Sequence, residues 1–353
     1  MDVTTALRET VRTLLTRQAD DPWPQLSGIG AAGLAIPECY GGAGASLRET
    51  CVVLEELGRT LTPSPLLGSA VLAAQALLVT GNADACRRLL PGIADGSRVA
   101  ALVWTGPAGR WAPDEVACHV DRSGELTGTA QYVLDGDLAD VLLVAARTRD
   151  GVELFEVAPG QPGVSRTVVT AMDLTRRLAV VRLAGVAGRR IGAVDLARVR
   201  DLACVALSAE QVGAAARALE LTVEYARTRV QFGRPIGAFQ ALQHRMADLH
   251  VLVEAARSAS YACFACADRR SGRLEGTAAE ALDSADLPVR AAVAKVRCSE
   301  ALMRVAGEMI QIHGGIGITW EHDAHRYFKR AHGTWHLFGQ PADHVARLAA
   351  LIL

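Results

Sequence analysis

Through the first hundred residues, apolar side chains recur at spacings of three and four. The stretches "ALRETVRTLL", "SLRETCVVLEELGRTL" and "SAVLAAQALLVTG", separated by Gly and Pro clusters, predict amphipathic helices. From about residue 99 the pattern shortens to Val-, Leu- and Thr-rich runs: "VAALVWT", "VACHV", "ELTGTAQYVL", "DVLLVAART", "GVELFEVA" and "LAVVRLAGV". Turn residues at strand-like intervals make this a β region. Beyond Asp195 long helical patterns return over 196–228, 237–270, 278–313 and 323–352, broken by "QFGRPIG", "RSGRLEG" and "HGGIGIT". Four long helices with short connections predict an antiparallel bundle. The expected fold is α+β and multidomain: an N-terminal helical domain (1–98), a small β-domain, barrel or sandwich (99–192), and a C-terminal four-helix bundle (193–353). A chain of 353 residues is long enough for such a division.

Charge narrows the function classes. With 37 basic and 38 acidic residues the formal charge is −1, which gives no electrostatic case for nucleic acid or an anionic membrane. The opening "MDVTTALRETVRTLL" is charged and amphipathic, unlike a signal peptide, and no later run reads as a membrane span. A cytoplasmic location is expected. Eight scattered cysteines then read as buried small hydrophobes, and "CFAC" at Cys263–Cys266 lies in a helical pattern without a second ligand pair.

Candidate chemistry gathers in three places. "GIGAAG", Gly28 to Gly33, matches a dinucleotide fingerprint but lacks the strand before it and the helix after it that phosphate binding requires. "RTRVQFGRPIGAFQALQHRMAD", residues 227–248, ends a helix with Arg227, Arg229 and Arg234 around Phe232 and Gly233. Forked guanidinium groups beside an aromatic ring suit a phosphate-bearing ligand; a solvated helix end would account for the charge alone. "GEMIQIHGGIGITWEHDAHRYFKR", residues 307–330, runs a helix into Gly314, Gly315 and Gly317, with Gln311 one turn earlier as a donor. Such a turn either brings bare backbone close to a ligand or simply caps the helix. Six of nine histidines lie in the last 41 residues. His322 and His325 could share a helical face, but a third metal ligand is not evident, and hydrogen bonding at an interface is the better reading.

The two bundle stretches, about 80 residues apart, resemble the paired signatures of the acyl-CoA dehydrogenase family. The likeness extends to "GLAIPECYGGAGASLRETCVVLEELGR" and to "LTGTAQYVLDGDLADVLLVAART". It implies a flavoenzyme that removes an α-proton and a β-hydride from an acyl-CoA thioester, with FAD lying across a subunit interface. By the resemblance, Arg229, Phe232, Gln240, Gln311, Gly314 and Gly315 receive the pyrophosphate and adenosine side of a neighbour's FAD. All six match the family pattern.

The flavin side does not match. The family's usual catalytic Glu falls on Phe338 and its alternative position on Ala203, so this chain carries no catalytic residue at either place. In the Thr-Glu-Pro segment Gly106 stands for Glu between Thr105 and Pro107; the flavin-side Trp and Thr become Tyr132 and Leu134, and the Arg after the alternative base becomes Cys204. These losses imply the non-catalytic partner in an α2β2 heterotetramer, whose other subunit bears the Glu. "WEHDAHRYFKRA" and "LFG" resemble the actinobacterial steroid side-chain subgroup. An acyl-CoA substrate, bulky and polycyclic, and electron-transfer flavoprotein or a similar acceptor are expected with it. One alternative is a self-sufficient homodimer with an unconventional base, either Glu210, roughly 10 Å along the helix axis from Ala203, or His336. Another is a non-redox scaffold or acyl-CoA binding protein.

Overall fold

The computed structural model describes residues 3–16, 21–106, 108–268 and 278–353. Five helices come first: α1 (Val3–Leu15), α2 (Trp23–Gly28), α3 (Leu47–Thr60), α4 (Ala74–Thr80) and α5 (Ala83–Ala94), with a π-helical stretch at Leu66–Ala73 before α4. A capping box starts α3: the Ser46 hydroxyl accepts from the Arg48 backbone and the Glu49 side chain returns to the Ser46 N–H. Of the glycines of "GIGAAG", Gly28 ends α2, Gly30 lies in the turn after it and Gly33 ends the short 3-10 helix that follows, with no strand between.

Eight strands follow: β1 (Ala100–Val103), β2 (Cys118–Val120), β3 (Leu126–Leu134), β4 (Val141–Thr148), β5 (Gly151–Val157), β6 (Val164–Val168), β7 (Leu178–Val186) and β8 (Arg189–Ala193). They form one mixed sheet in the order β6-β7-β3-β2-β4-β5-β8. β1 pairs in parallel with the first half of β4 and β2 with its end. Alternation assigns the faces. Ala101, Val103, Leu142 and Val144 join one cluster with Phe155 of β5 and Val181 of β7, strands far apart in the order, so the sheet curls toward a barrel instead of pairing as a two-sheet sandwich. Ala100, Leu102, Leu143 and Ala145 face the other way, into the core shared with the helices. Two strands, β6 and β8, escape the sequence pattern. Both are edges with mostly unburied residues, and an edge has no second buried face to impose apolar alternation.

The bundle comprises α6 (Leu196–Thr228), a small hairpin of β9 (Val230–Gln231) and β10 (Arg234–Pro235), α7 (Gln240–Asp268), α8 (Ala278–His313), α9 (Ala324–His336) and α10 (Pro341–Ile352). The expected helix over 323–352 is therefore two. Phe338 and Gly339 adopt left-handed φ of 60° and 102°, and Gln340 and Pro341 open a new N-terminus. A Cβ on Gly339 would lie 2.9 Å from His344 Nε2, so the break requires glycine there. The expectation of no membrane-length apolar run also needs correction. α6 has the length and apolarity to cross a bilayer, yet 94% of its apolar window is buried inside the protein. Cys263 is buried and its thiol donates to the Arg290 carbonyl at 3.0 Å; the Cys266 side chain and Pro107 lie outside the described residues.

Helix α3 crosses α6 at two glycines. A Cβ on Gly213 would stand 1.9 Å from the Glu55 carbonyl oxygen, and one on Gly58 would stand 2.1 Å from that of Glu210. The backbones touch, which locks the first domain onto the bundle. Beside the crossing, buried Glu55 and Glu56 are paired by Arg8 and Arg12 of α1 at 2.9 Å. Gly213→Ala is expected to cost more than about 3 kcal/mol, read as a lowered urea midpoint. Gly307→Ala on α8, where nothing lies within 4 Å, serves as the control and should leave the midpoint unchanged or raised.

Candidate functional site

The arginine and glycine stretches meet at one end of the bundle. After α6 the chain reverses through Phe232 and Gly233, whose φ values of 53° and 77° form the two-residue turn that matches the twist of a hairpin. At the end of α8, His313 stacks on Tyr225 of α6 with ring centroids 4.3 Å apart, and Tyr225 Oη donates to the His313 carbonyl at 3.4 Å. Ile312 packs with Ala226 and Ile236 beneath them. These contacts join segments some eighty residues apart in sequence.

The six cofactor-side residues are spread over this end. Arg229 closes α6 and is exposed, with no side-chain hydrogen bond among the described residues. Gln240 is exposed at the first residue of α7, and Gln311 is exposed one turn before Gly314. Gly314 has φ 62°, and a Cβ on Gly314 or Gly315 would meet nothing within 4 Å. Phe232 is 91% exposed, edge-on to Phe239 at 6.1 Å. Arg234 is already engaged, 4.0 Å over the Phe239 ring. Open guanidinium, amide and backbone groups beside an uncovered aromatic can hold an anionic, ring-bearing ligand. Among the described residues nothing covers this surface.

The two base positions converge elsewhere, in a dry aromatic cluster. Ala203 and Phe338 are 1% and 0% exposed and belong to one core. The Phe338 ring meets Trp111 edge-on at 5.0 Å, and Trp111 meets Trp104 at 5.4 Å. The backbone is fixed behind the ring. His344 Nε2–H donates to the Phe338 carbonyl at 2.9 Å, and buried Lys295 donates to the carbonyls of Thr334 and Trp335, each at 3.0 Å. Burial lowers His344 to about 4 and raises the Cys204 thiol to about 12, so both are neutral near pH 7. Thr105 donates to the Gln131 carbonyl, Leu134 is buried, and Tyr132 lies half-exposed over Gly109. Residue types alone marked the missing carboxylate. They gave no sign that Trp104 and Trp111 fill the space, because only the fold brings β1, the loop after it and the α9–α10 break together.

Glu210 does not have the environment of a base. It accepts from Arg176 and, at 2.6 Å, from Arg330, and these cations hold its carboxyl below the usual range against the opposing effect of burial. Arg330 also donates to Asp173 at 2.7 Å and to Thr175. His336 is exposed on the last turn of α9. His322 Nδ1 accepts the Ala324 N–H at the start of α9, and His325 packs edge-on to Trp320, giving these two histidines local structural roles.

Asp135, near Glu210, is the opposite case. Burial raises its carboxyl to about 7, and it sits against Gly68, where a Cβ would lie 2.4 Å from its Oδ2. Because the folded value lies above the unfolded one, its contribution to stability is full below about pH 4 and is lost as pH rises through about 7. Asp135→Asn, which tolerates the left-handed φ of 54°, should raise the melting temperature at pH 8 relative to the parent and leave it nearly unchanged at pH 4. Parallel shifts at both pH values would show that the carboxyl ionises freely.

Comparison with known proteins identifies the family. Residues 4–97 match the family described as acyl-CoA dehydrogenase, N-terminal domain, and residues 201–350 match acyl-CoA dehydrogenase, C-terminal domain. Acyl-CoA dehydrogenase IpdE2 of Mycobacterium tuberculosis is 41% identical, over 97% of this chain and 95% of its own length. FadE27 of the same organism is 35% identical over 92% and 86%. Among solved structures, the ChsE4-ChsE5 complex from Mycobacterium tuberculosis superposes with a TM-score of 0.86 at 30% identity, covering 99% of this chain and 97% of that one. A variant of the Tcur3481-Tcur3483 steroid ACAD gives 0.84 at 31%, with the same coverage. The chain belongs to the acyl-CoA dehydrogenase family of oxidoreductases.

Proposed function

We propose that this chain is the non-catalytic subunit of a heteromeric, FAD-dependent acyl-CoA dehydrogenase, completing the cofactor site of a partner that carries the base. The observation that carries this reading is the contrast between its two half-sites. Trp104, Trp111 and Phe338 fill the place of a catalytic carboxylate, while Arg229, Gln240, Gln311 and the Gly314–Gly315 turn stay open at the surface. Their chemistry fits the diphosphate and adenosine half of FAD: an unpaired guanidinium for the charge, amides for polar edges, and glycines that leave the backbone approachable. When bound, FAD supplies the two-electron sink for α,β-dehydrogenation of an acyl-CoA. This chain would bind and orient the cofactor's anionic end and exclude water from it; the proton at the substrate α-carbon would pass to the partner's carboxylate. Two-chain relatives support an α2β2 assembly, and the likeness to a steroid ACAD supports a bulky polycyclic acyl-CoA. Electron-transfer flavoprotein or a comparable acceptor would take the electrons, and the assembly would work in the cytoplasm.

Flavin content tests the assignment. About one FAD per two different chains is expected, appearing only when this protein is co-expressed with a homologous subunit. One FAD per chain in the protein alone would overturn the reading in favour of a self-sufficient homodimer, and no flavin in any assembly would favour a scaffold. Arg229→Ala should release flavin from the assembly while leaving subunit association and the melting temperature of this chain intact. Phe338→Glu should give no dehydrogenase activity in this chain alone and should destabilise it by a few kcal/mol (~2–5), because the carboxylate would enter a dry aromatic core. Turnover by that variant alone would mean that one substitution restores a complete site.

A further inference from the structure

Three rings join the two segments of the arginine–glycine end. Tyr225 of α6 lies on His313, the last residue of α8, with centroids 4.3 Å and planes 24° apart, and His322 leans on His313 at 4.3 Å with planes 47° apart. Tyr225 is tied to both segments. Its carbonyl accepts the Arg229 N–H at 2.9 Å, and its hydroxyl donates to the His313 carbonyl at 3.4 Å, one residue before Gly314. The turn also presses on the stack: a Cβ on Gly317 would lie 3.1 Å from that of His313. His322 Nδ1 accepts the Ala324 N–H at 3.0 Å, which anchors the chain leaving the turn to the start of α9. The stack therefore sets how Arg229 stands relative to the Gly314–Gly315 turn.

Hydrogen bonding fixes the protonation of His313. Its Nδ1 lies 2.7 Å from the Met309 carbonyl, which can only accept, so Nδ1 carries the proton and Nε2 is a bare acceptor. Nε2 has no hydrogen-bond partner among the described residues, and His313 is 3% exposed. A proton added to Nε2 would create a buried N–H⁺ with nothing to receive it, beside a second imidazole. The titratable groups facing it are Tyr225 from α6 and His322 from the segment before α9, and no carboxylate is bonded to it among the described residues. Burial, followed by the neighbouring His322, holds the imidazole below its ordinary value of 6.5. The closed stack is therefore fully stable above about pH 6.5 and loses stability as pH falls below it, where only an opened form takes up the proton freely. We propose that Tyr225, His313 and His322 are positioning residues that form an acid-released clamp: neutral, they hold the Gly314–Gly315 turn in place beside Arg229, and uptake of one proton at His313 Nε2 opens the turn and frees the adenosine diphosphate end of a flavin held there. The part played toward flavin rests on the proposed function; the opening itself does not.

Hydrogen–deuterium exchange of the full chain, in the assembly in which it is isolated, tests the opening without any need for flavin. After correction for the chemical exchange rate, the peptide spanning 311–322 should exchange about tenfold faster at pH 5.5 than at pH 7.5, the most that one proton binding near 6.5 in the open form can shift the equilibrium over that range. His313→Asn, whose amide can still donate to the Met309 carbonyl but takes up no proton, should abolish the gain. Tyr225→Phe, which keeps the stacked ring and loses the hydroxyl, should speed exchange equally at both pH values. His119→Gln, exposed on β2, should keep the parent profile. Where the assembly holds FAD, its release rate should follow the same pH profile and lose it in His313→Asn. A pH-independent exchange rate in the parent, or a gain that persists in folded His313→Asn, would overturn the clamp. Should His313→Asn fail to fold, ¹⁵N-histidine NMR of the parent decides: a neutral Nδ1–H tautomer that titrates below the ordinary value supports the clamp, and an Nε2–H tautomer or an ordinary titration overturns it. Faster opening with flavin release indifferent to pH would overturn the link to the cofactor and tell against the proposed function.

Discussion

Arg330 is the side chain on which the middle of this molecule depends. It rises from α9, is 2% exposed, and donates to Asp173 and Thr175 of the β-domain and to Glu210 of α6. A guanidinium so far from water is tolerable only because carboxylates on two other elements neutralise it and its fork is filled by hydrogen bonds. The network therefore specifies how the sheet seats on the bundle, whatever its net contribution to stability. It also explains why Glu210, attractive in sequence as a carboxylate on the right helix, has a structural part: two arginines already claim it.

The same packing divides the family's two half-sites. Where a base would work, the fold closes. Three aromatic rings meet edge to edge, and behind them His344 and Lys295 satisfy the carbonyls exposed by the break between α9 and α10. Where a neighbour's cofactor would be received under the proposed function, Arg229 has no partner and the Gly314 turn no cover among the described residues. Drift alone would more readily leave a void or a frayed loop at the lost site. A well-packed aromatic cluster indicates that the closed side has become part of the core, and under the proposed function the open side still works across a subunit boundary.

The glycine crossing of α3 and α6 places these regions relative to one another. Backbone contact at Gly58 and Gly213 permits no side chain on either helix, so the first domain can settle on the bundle in only one register. That register sets Leu54 and Leu57 opposite Glu210 and forms the wall of a cavity above the Arg330 network.

Much of this was legible in the sequence. Period-3.6 patterns marked α6 and α8, period-2 runs marked the buried strands, and residue counting put Phe338 and Ala203 where a carboxylate was expected. Those features are local, because one buried face repeats along an element and a missing acid is visible in a string of letters. Edge strands β6 and β8 were not legible, since a strand with little buried surface carries little pattern. Nor was the split of the last helix, which depends on two left-handed residues and on a histidine that excludes a Cβ from Gly339. Glu210 read as a candidate base until its partners Arg330 and Arg176, 120 and 34 residues away in sequence, were brought to it. The sequence alone determined the family, the order of its helices and strands, and the absence of the usual base. Only the tertiary structure decided which charges are spent, which ring fills the empty place and which ring nitrogen is left unpaired, because burial and pairing are properties of neighbours that the chain brings together by folding.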